Sequence, residues 1–203
     1  MLAFIFAHSK PSRPHKRTRE RFLLPDEWRR IRTILATCPI KVRVYFTVLT
    51  LTGCRRGELL TMEWTHLDLE FGIWHKPKTK NGRRHTLALT SSACTLLGQI
   101  QKTGRYVFTG DPDHTGTKAD HPWSPTAAGF WWRKIRKAAG LPDVWIHDLR
   151  RTCASWMAIH GENTVTIQQV LNHSDLRVTQ VYARLDQTSV RAALTRHAER
   201  VLT

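Results

Sequence analysis

The segment that most constrains the fold is the apolar run at residues 40–52, IKVRVYFTVLTLT, whose only charged side chains are Lys41 and Arg43. Its many β-branched residues are compatible with a strand. The run is nevertheless longer than most strands in globular proteins, and it leads directly into a polar motif at residues 52–58. We therefore predict that residues 40–52 form a buried helix.

Helical patterns also dominate the rest of the chain. Pro25 followed by two acidic residues is typical of the first turn of a helix, and Ser124-Pro125 predicts another helix, which ends at Gly140. A helix over about residues 91–101 is expected to be capped by Ser91 or Ser92. Further helices are predicted at about residues 56–64, from residue 147 onward, at residues 165–171 and at residues 189–202.

One stretch follows a different pattern. Residues 71–89 contain two strand-like runs on either side of Asn81-Gly82, a dipeptide typical of tight hairpin turns. We predict a β-hairpin or a three-stranded sheet with a basic tip, and a loop at residues 109–124. The predicted fold class is therefore mainly α with a small antiparallel β-sheet (α+β).

The charge balance narrows the choice of partners. Among 203 residues there are 32 Lys and Arg against 16 Asp and Glu, a formal net charge of +16. Such a field attracts polyanions, so nucleic acid is the leading candidate partner and an anionic membrane surface is second. Apolar residues make up 41% of the chain, which excludes global disorder. No run approaches the ~18 apolar residues of a membrane span.

The composition also suggests how the chain is organised. Residues 1–21 form a basic tail, expected to be either an extended arm or a solvated terminus, and residues 22–203 form the folded domain. The four cysteines include no CxxC pair, which argues against a structural zinc site and against a secreted disulfide framework. A reducing, cytoplasmic location is the simplest expectation.

Four polar clusters could carry chemistry. They are Thr52-Gly53-Cys54-Arg55-Arg56-Gly57-Glu58, Thr79-Lys80-Asn81-Gly82, His147-Asp148-Leu149-Arg150 and Leu171-Asn172-His173, the last followed by Tyr182. Each cluster alone has an ordinary structural explanation, such as an Arg55–Glu58 ion pair or a tyrosine in the core. In this order, over about residues 22–190, they resemble the tyrosine recombinase (phage integrase) family.

The resemblance implies a mostly helical catalytic domain that cuts and rejoins DNA through a 3′-phosphotyrosyl intermediate. Tyr182 matches the nucleophile of the family. Arg55 and Arg150 match its arginine pair, whose guanidinium groups can bind two non-bridging phosphate oxygens. No metal ion and no ATP are implied, because arginines neutralise the charge and one phosphoester is exchanged for another.

The remaining catalytic positions also follow from the resemblance. Lys80 matches the hairpin lysine that protonates the leaving 5′-hydroxyl, with Lys76 and Lys78 as competitors for that role. His147 matches a general base or phosphate hydrogen-bonding group, and His173 matches a donor to a phosphate oxygen. Glu58 matches an acidic position that orients active-site groups without touching the substrate.

Further basic residues are candidates for DNA contacts. They are Arg56, Lys78, Arg83, Arg133, Lys134 and Arg151. Trp131 and Trp132 lie beside Arg133 and Lys134, so they either belong to the core or face DNA with them.

Two departures from the family pattern lie close to these positions. Asn172 stands where glycine is common, at a position that suits a positive φ; asparagine is the next best tolerated residue there. Arg151 stands where histidine is common, so it competes with Arg150 for the arginine role.

The upstream helical domain that closes a clamp on DNA in full recombinases is expected to be absent, because only the basic tail precedes Phe22.

The expected partner is double-stranded DNA, bound by a homo-tetramer on paired sites, with no membrane. The expected location is the cytoplasm, at the nucleoid or in a phage-infected bacterial cell. Two alternatives remain: an inactive remnant that only binds DNA, and a type IB topoisomerase-like enzyme.

Overall fold

The computed structural model describes residues 20–77, 84–110, 121–172 and 187–202. Helices predominate in these ranges: α1 (Pro25–Ala36), α2 (Ile40–Thr52), α3 (Arg56–Leu60), α4 (Ser91–Gly98), α5 (Pro125–Ala138), α6 (Ile146–Ile159), α7 (Thr164–Leu171) and α8 (Gln187–Leu202). The strands are β1 (Leu67–Asp68), β2 (Ile73–Lys76) and β3 (His85–Ala88). This architecture confirms the predicted fold class, mainly α with a small antiparallel sheet.

Helix α2 lies at the centre of the core, as its apolar sequence predicts. Eight of its 13 residues are buried, and it packs against α1, α3, α4 and α6. The buried hydroxyls of Thr50 and Thr52 donate to the carbonyls of Phe46 and Val48, so they leave no unsatisfied donor in the core. The Tyr45 ring meets the edges of Phe46 and two further aromatic rings at centroid distances of 5.0–5.2 Å.

The segment before α1 is hydrogen-bonded to α6. The backbone N–H of Leu23 donates to the Thr152 hydroxyl at 2.9 Å, and the Trp156 indole donates to the Leu23 carbonyl at 2.9 Å. Arg21 forms ion pairs with Glu27 at 2.7 Å and Asp143 at 2.9 Å. Leu23 is therefore bound to the same helix that carries the His147-Asp148-Leu149-Arg150 motif.

The sheet is three-stranded and antiparallel in the order β1-β2-β3. In its register Trp74 lies opposite Leu87 and Lys76 lies opposite His85. Trp74, Lys76 and Leu87 are buried, whereas His75 and Thr86 are exposed, so one face covers the core. The expectation of a hairpin or small sheet within residues 71–89 is met by β2 and β3, and its tip lies outside the described residues.

Two local predictions are wrong. The helix predicted over residues 56–64 ends at Leu60, because Met62 and Trp64 pair instead with the distant segment 105–107 through the bonds Val107 N–H to Met62 O and Trp64 N–H to Arg105 O. Helix α4 is capped by Thr90 rather than by Ser91 or Ser92, since the Thr90 hydroxyl accepts the Ala93 N–H at 3.2 Å.

Helix α5 begins and ends as predicted, but its tryptophans do not face outward. Ser124 caps its first turn and Gly140, with φ of 69°, follows its end. Trp131 is 7% exposed and Trp132 is 2% exposed. Both rings therefore belong to the core, and the option that they face DNA is wrong.

Within the described ranges, no helix has the length and apolar character needed to cross a membrane.

Candidate active site

The turn after α2 brings the first polar cluster onto α6 and α7. Gly53 adopts φ of 58°, in the left-handed region that favours glycine. A Cβ at this position would lie 2.8 Å from Leu171 Cδ2 and 3.0 Å from Cys153 Sγ. Glycine is therefore required both for the turn and for the close approach of the three helices.

Arg150 ties this turn to the end of α7. Its side chain is buried, and Nη1 donates to the Gly53 carbonyl at 2.7 Å while Nη2 donates to the Leu171 carbonyl at 2.6 Å. Such short, charge-assisted bonds fix the orientation of the planar guanidinium. Arg150, and not its neighbour Arg151, therefore connects the turn at Gly53 with the end of α7.

Arg55 lies beside Arg150 at the N-terminus of α3. Its Nη1 donates to Glu58 Oε1 at 2.9 Å, and its Nη2 donates to the Asn172 carbonyl at 3.2 Å. The side chain is 24% exposed, so this guanidinium reaches the surface of the site. The ion pair with Glu58 and the contact with α7 occur together. The structural explanation of Arg55 as an ion-pair partner and its match to a phosphate-binding arginine therefore do not exclude each other.

Asn172 ends α7 in the left-handed conformation, with φ of 51° and ψ of 51°. It is the only non-glycine residue with positive φ in the described part of the chain. The prediction that asparagine replaces glycine at such a position is confirmed. The left-handed turn exposes the final carbonyls of α7, which the two arginines bind.

A buried lysine completes this charged cluster. Lys76 Nζ lies 3.3 Å from Glu58 Oε2 and 4.8 Å from the centroid of the Trp74 ring. Burial lowers the pKa of Lys76, an effect that the Glu58 charge opposes. Burial alone would raise the pKa of Glu58, but the charges of Lys76 and Arg55 and the hydrogen bonds of Arg55 outweigh it and lower that pKa.

His147 lies in the first turn of α6, one residue before a buried carboxylate. Asp148 accepts the Trp145 backbone N–H at 2.8 Å and the Arg151 guanidinium at 2.7 Å, which fixes the start of the helix. The His147 ring is exposed, but partial desolvation by the walls around it, reinforced by the charges of Arg151 and Arg150, lowers its pKa. A neutral imidazole at this position can accept a proton or a hydrogen bond near neutral pH.

Two neighbouring cavities meet at Arg56 and His147. The first is also lined by Arg133, Arg136 and Arg150, and the second by Arg55, Glu58 and Lys76. A cleft with several guanidinium groups on both sides is suited to a phosphate-rich ligand.

The thiols near this cleft are packing groups. Burial raises the pKa of Cys54 to about 11 and that of Cys153 to about 12. Both side chains stay protonated at neutral pH, so neither is an activated nucleophile. Within the described residues, no group of three or more His, Cys, Asp or Glu side chains could hold a metal ion.

The structure brings together only some of the predicted site residues. Arg55 and Arg150 each donate to a backbone carbonyl at the end of α7, and Glu58 binds Arg55. His147, Arg56 and Arg133 line the adjoining cavities. Lys134 is exposed on α5 over the rings of Phe130 and Trp131, and Arg151 is paired with Asp148. The other predicted site residues lie outside the described part of the chain: Lys78, Lys80, Arg83, His173 and Tyr182.

Sequence reasoning missed one residue of the cluster. It named Lys76 only as a competing proton donor, whereas the structure buries this lysine against Glu58. The alternation of the strand was the available signal, because residues 74 and 76 share one face and residue 74 is a tryptophan.

Comparisons with known proteins agree with this architecture. The model of the Phage integrase family matches residues 21–189. The chain is 30% identical to the integrase of Salmonella phage P22 over 197 residues, which cover 92% of this chain and 48% of that protein. It is 28% identical to a shufflon-specific DNA recombinase of Escherichia coli, covering 82% of this chain and 41% of that protein.

A solved structure shows the same fold. The crystal structure of XerA recombinase superposes with a TM-score of 0.69 at 23% identity, covering 93% of this chain and 67% of that one. The chain spans about half the length of the curated relatives that it matches. These relatives are named as integrases and recombinases, so the comparisons do not favour the topoisomerase-like alternative.

Proposed function

The chain belongs to the Phage integrase family, and we propose that it acts as a site-specific DNA recombinase. In this proposal residues 22–203 form the catalytic domain, and the substrate is double-stranded DNA. The reaction cuts one strand and rejoins it through a 3′-phosphotyrosyl intermediate, without metal or ATP.

The observation that carries the proposal is the pair of fixed guanidinium groups at the end of α7. A phosphodiester is negatively charged, and its charge becomes concentrated on the non-bridging oxygens as the phosphorus is attacked. Arg55 has five N–H donors, and the bonds to Glu58 and Asn172 orient it while its side chain remains 24% exposed. Arg150 lines the first cavity and Arg55 lines the second, and the two cavities share Arg56 and His147, which supports the proposal that both arginines bind one phosphate.

The covalent steps are assigned to residues that match the family pattern. The Tyr182 hydroxyl attacks the phosphorus, its proton is taken up by a base, and the bond from phosphorus to the 5′-oxygen breaks. Lys80 supplies a proton to the departing 5′-oxygen, which leaves a 3′-phosphotyrosyl bond. A 5′-hydroxyl from a second strand then attacks this bond and releases Tyr182, so one phosphoester replaces another and no external energy is consumed.

The histidines act around the same phosphate. His147 is assigned as the base or hydrogen-bonding group beside the arginines, and its lowered pKa supports a neutral ring near pH 7. His173 follows Asn172 directly in the sequence, and it is assigned as a donor to a phosphate oxygen.

DNA binding is assigned to the basic surface along the cleft. Arg56 and Arg133 line the cavities, and Lys134 is exposed on the same helix as Arg133. Lys78, Arg83 and Arg151 are proposed as further contacts. Strand exchange between two duplexes requires one active site for each cleaved strand, so we propose that four copies assemble on paired DNA sites.

Relaxation of a supercoiled plasmid in EDTA without ATP tests the chemistry without knowledge of the target site. Wild type should relax the plasmid and form a covalent DNA adduct that survives denaturation in detergent. Tyr182→Phe should do neither while retaining non-covalent DNA binding in a gel-shift assay, since only the attacking oxygen is removed. Cleavage by Tyr182→Phe would refute the nucleophile assignment. Binding without relaxation or adduct by wild type would instead support the inactive DNA-binding alternative.

A further inference from the structure

We propose that Lys76 is a positioning residue for strand transfer: its enclosed ammonium group holds the Glu58 carboxylate, which in turn orients Arg55 for the phosphate. The inference rests on the function proposed above for this site. Lys76 would act through Glu58 and would not itself touch the DNA.

The position of Lys76 in β2 explains why it is enclosed. Residues on one face of a strand alternate, so Lys76 shares the buried face with Trp74, and its side chain is only 4% exposed. Lysines are almost never buried without a partner. Here the partner is Glu58 at 3.3 Å, and the Trp74 ring covers the ammonium from 4.8 Å.

Glu58 connects the two cations through its separate oxygens. Oε1 accepts Arg55 Nη1 at 2.9 Å, whereas Oε2 lies 3.3 Å from Lys76 Nζ and also accepts the Arg55 backbone N–H at 3.3 Å. A carboxylate bound at both oxygens has a fixed orientation. The Arg55 guanidinium, which also binds the Asn172 carbonyl, is thereby held at the mouth of the site.

The charges around Glu58 make Lys76 important for its ionisation. Arg55 approaches it from α3 and Lys76 from β2, while His85 on β3 and the thiol of Cys54 are also within electrostatic range, and Arg150 on α6 acts on Lys76. The Glu58 side chain is only 11% exposed, and the charges of Lys76 and Arg55 lower its pKa against the opposing effect of burial. Removing the Lys76 charge therefore shifts Glu58 toward the protonated form, in which it binds Arg55 less strongly.

His85 connects the strand next to Lys76 with α7. It lies opposite Lys76 in the sheet, and its Nε2 donates to the Gln169 carbonyl of α7 at 3.1 Å. The strand that carries Lys76 is thus paired to one that is bound to α7. An enclosed ammonium at this position acts on neighbouring side chains more directly than on a DNA 5′-oxygen.

The test is the pH dependence of plasmid relaxation in EDTA for wild type, Lys76→Met, Lys76→Arg and Glu58→Gln. In Lys76→Met the rate should fall about 10- to 100-fold, the scale of a slightly misplaced catalytic group. Its loss of activity at acidic pH should begin at a higher pH than in wild type, because Glu58 protonates more easily. Lys76→Arg restores the positive charge, so it should recover much of the relaxation rate. The acidic limb of its pH–rate profile, where activity is lost at low pH, should return toward that of wild type.

Two comparisons isolate the Glu58 connection. Glu58→Gln should remove the acidic limb assigned to Glu58, and adding Lys76→Met to it should cost little more, because the two residues act as one unit. Lys102→Met is the matched control, since Lys102 also lies over a tryptophan, 5.2 Å from the Trp64 ring, but is exposed. Thermal unfolding and gel-shift binding confirm that each variant folds and binds DNA.

The outcomes separate this inference from the proposed function. If wild type relaxes DNA and Lys76→Met has its rate and pH profile, the inference is wrong and the function stands. If Lys76→Met loses activity but its pH profile keeps the wild-type acidic limb, Lys76 does not act through the charge of Glu58 and the inference is also wrong. If folded wild type neither relaxes DNA nor forms an adduct, the proposed function fails and this inference fails with it.

Discussion

Arg55 and Arg150 bind consecutive backbone carbonyls at the end of one helix: Arg150 Nη2 lies 2.6 Å from the Leu171 oxygen, and Arg55 Nη2 lies 3.2 Å from the Asn172 oxygen. The two arginines are far apart in sequence and come from α3 and α6. Their convergence places two guanidinium groups at the C-terminal end of α7, directly before His173 in the sequence. Position within the fold, and not charge alone, distinguishes this pair from the other basic residues.

Replacing Arg150 by lysine should cost both stability and activity. Lysine has a single ammonium and cannot reproduce two fixed N–H donors aimed at the Gly53 and Leu171 carbonyls. Leaving a buried carbonyl unsatisfied should lower the free energy of unfolding by about 1–3 kcal/mol. The relaxation rate should fall by about 100-fold or more, the scale of one lost transition-state donor.

Urea denaturation and plasmid relaxation measure these two effects. Arg29→Lys is the control, because Arg29 forms an exposed surface pair with Asp26 on α1. That change should have little effect on either quantity. An Arg150→Lys variant with wild-type stability would show that the two carbonyl contacts contribute little.

The left-handed residue Asn172 gives a second prediction. Asn172→Gly should retain the stability of the protein, since glycine adopts a positive φ without steric cost. Asn172→Ala should lower the free energy of unfolding by about 1–2 kcal/mol, the penalty for a Cβ in this region. It should also reduce relaxation, because Asn172 presents its carbonyl to Arg55.

Chemical denaturation of the two variants gives the comparison directly. Asn163→Ala would be an unsuitable control, because Asn163 caps the start of α7. Gln169→Ala is better, because it changes only the exposed side chain of a residue in the same helix. Equal stabilities for Asn172→Gly and Asn172→Ala would contradict the argument from backbone conformation.

The salt dependence of DNA binding tests the basic cleft. Each protein cation that contacts a phosphate releases condensed counterions, so the affinity should fall steeply between about 50 and 200 mM salt. Arg133 lines the cleft and is exposed. Arg133→Ala should weaken binding to all sequences and reduce the slope of log K against log salt by about one.

Fluorescence anisotropy with a labelled duplex measures this slope. Arg29→Ala removes another exposed arginine on a different helix, so it produces the same change in net charge. If both variants alter the slope equally, binding depends on the overall field of the protein and not on contacts along the cleft.

The sequence predicts the buried helix α2, the end of α5 before Gly140 and the left-handed Asn172, because these features depend on local composition and on residue-specific backbone freedom. It does not predict the early end of α3, which depends on pairing between Met62 and Val107, residues that local patterns cannot connect. The enclosure of Lys76 was missed for a similar reason. A lysine next to a hairpin is ordinarily solvated. Strand alternation indicates that Lys76 shares a face with Trp74, but the contact with Glu58 depends on packing that local patterns do not give.

The pH dependence of stability should report on His147. Partial desolvation, together with the charges of Arg151 and Arg150, lowers the pKa of its ring in the folded protein. The unfolded chain therefore binds a proton more readily, so stability should rise with pH up to the ordinary histidine pKa of about 6.5 and fall as the pH drops below it. The glutamine side chain of His147→Gln cannot be protonated, so the melting temperature of this variant should depend less on pH between about 5 and 7.

Thermal melts across this range measure the difference, with His197→Gln on the exposed face of α8 as the control for loss of one imidazole. Parallel curves for wild type and His147→Gln would mean that the ring ionises as freely in the folded protein as in the unfolded chain, and would remove the support for a neutral His147 beside the arginines.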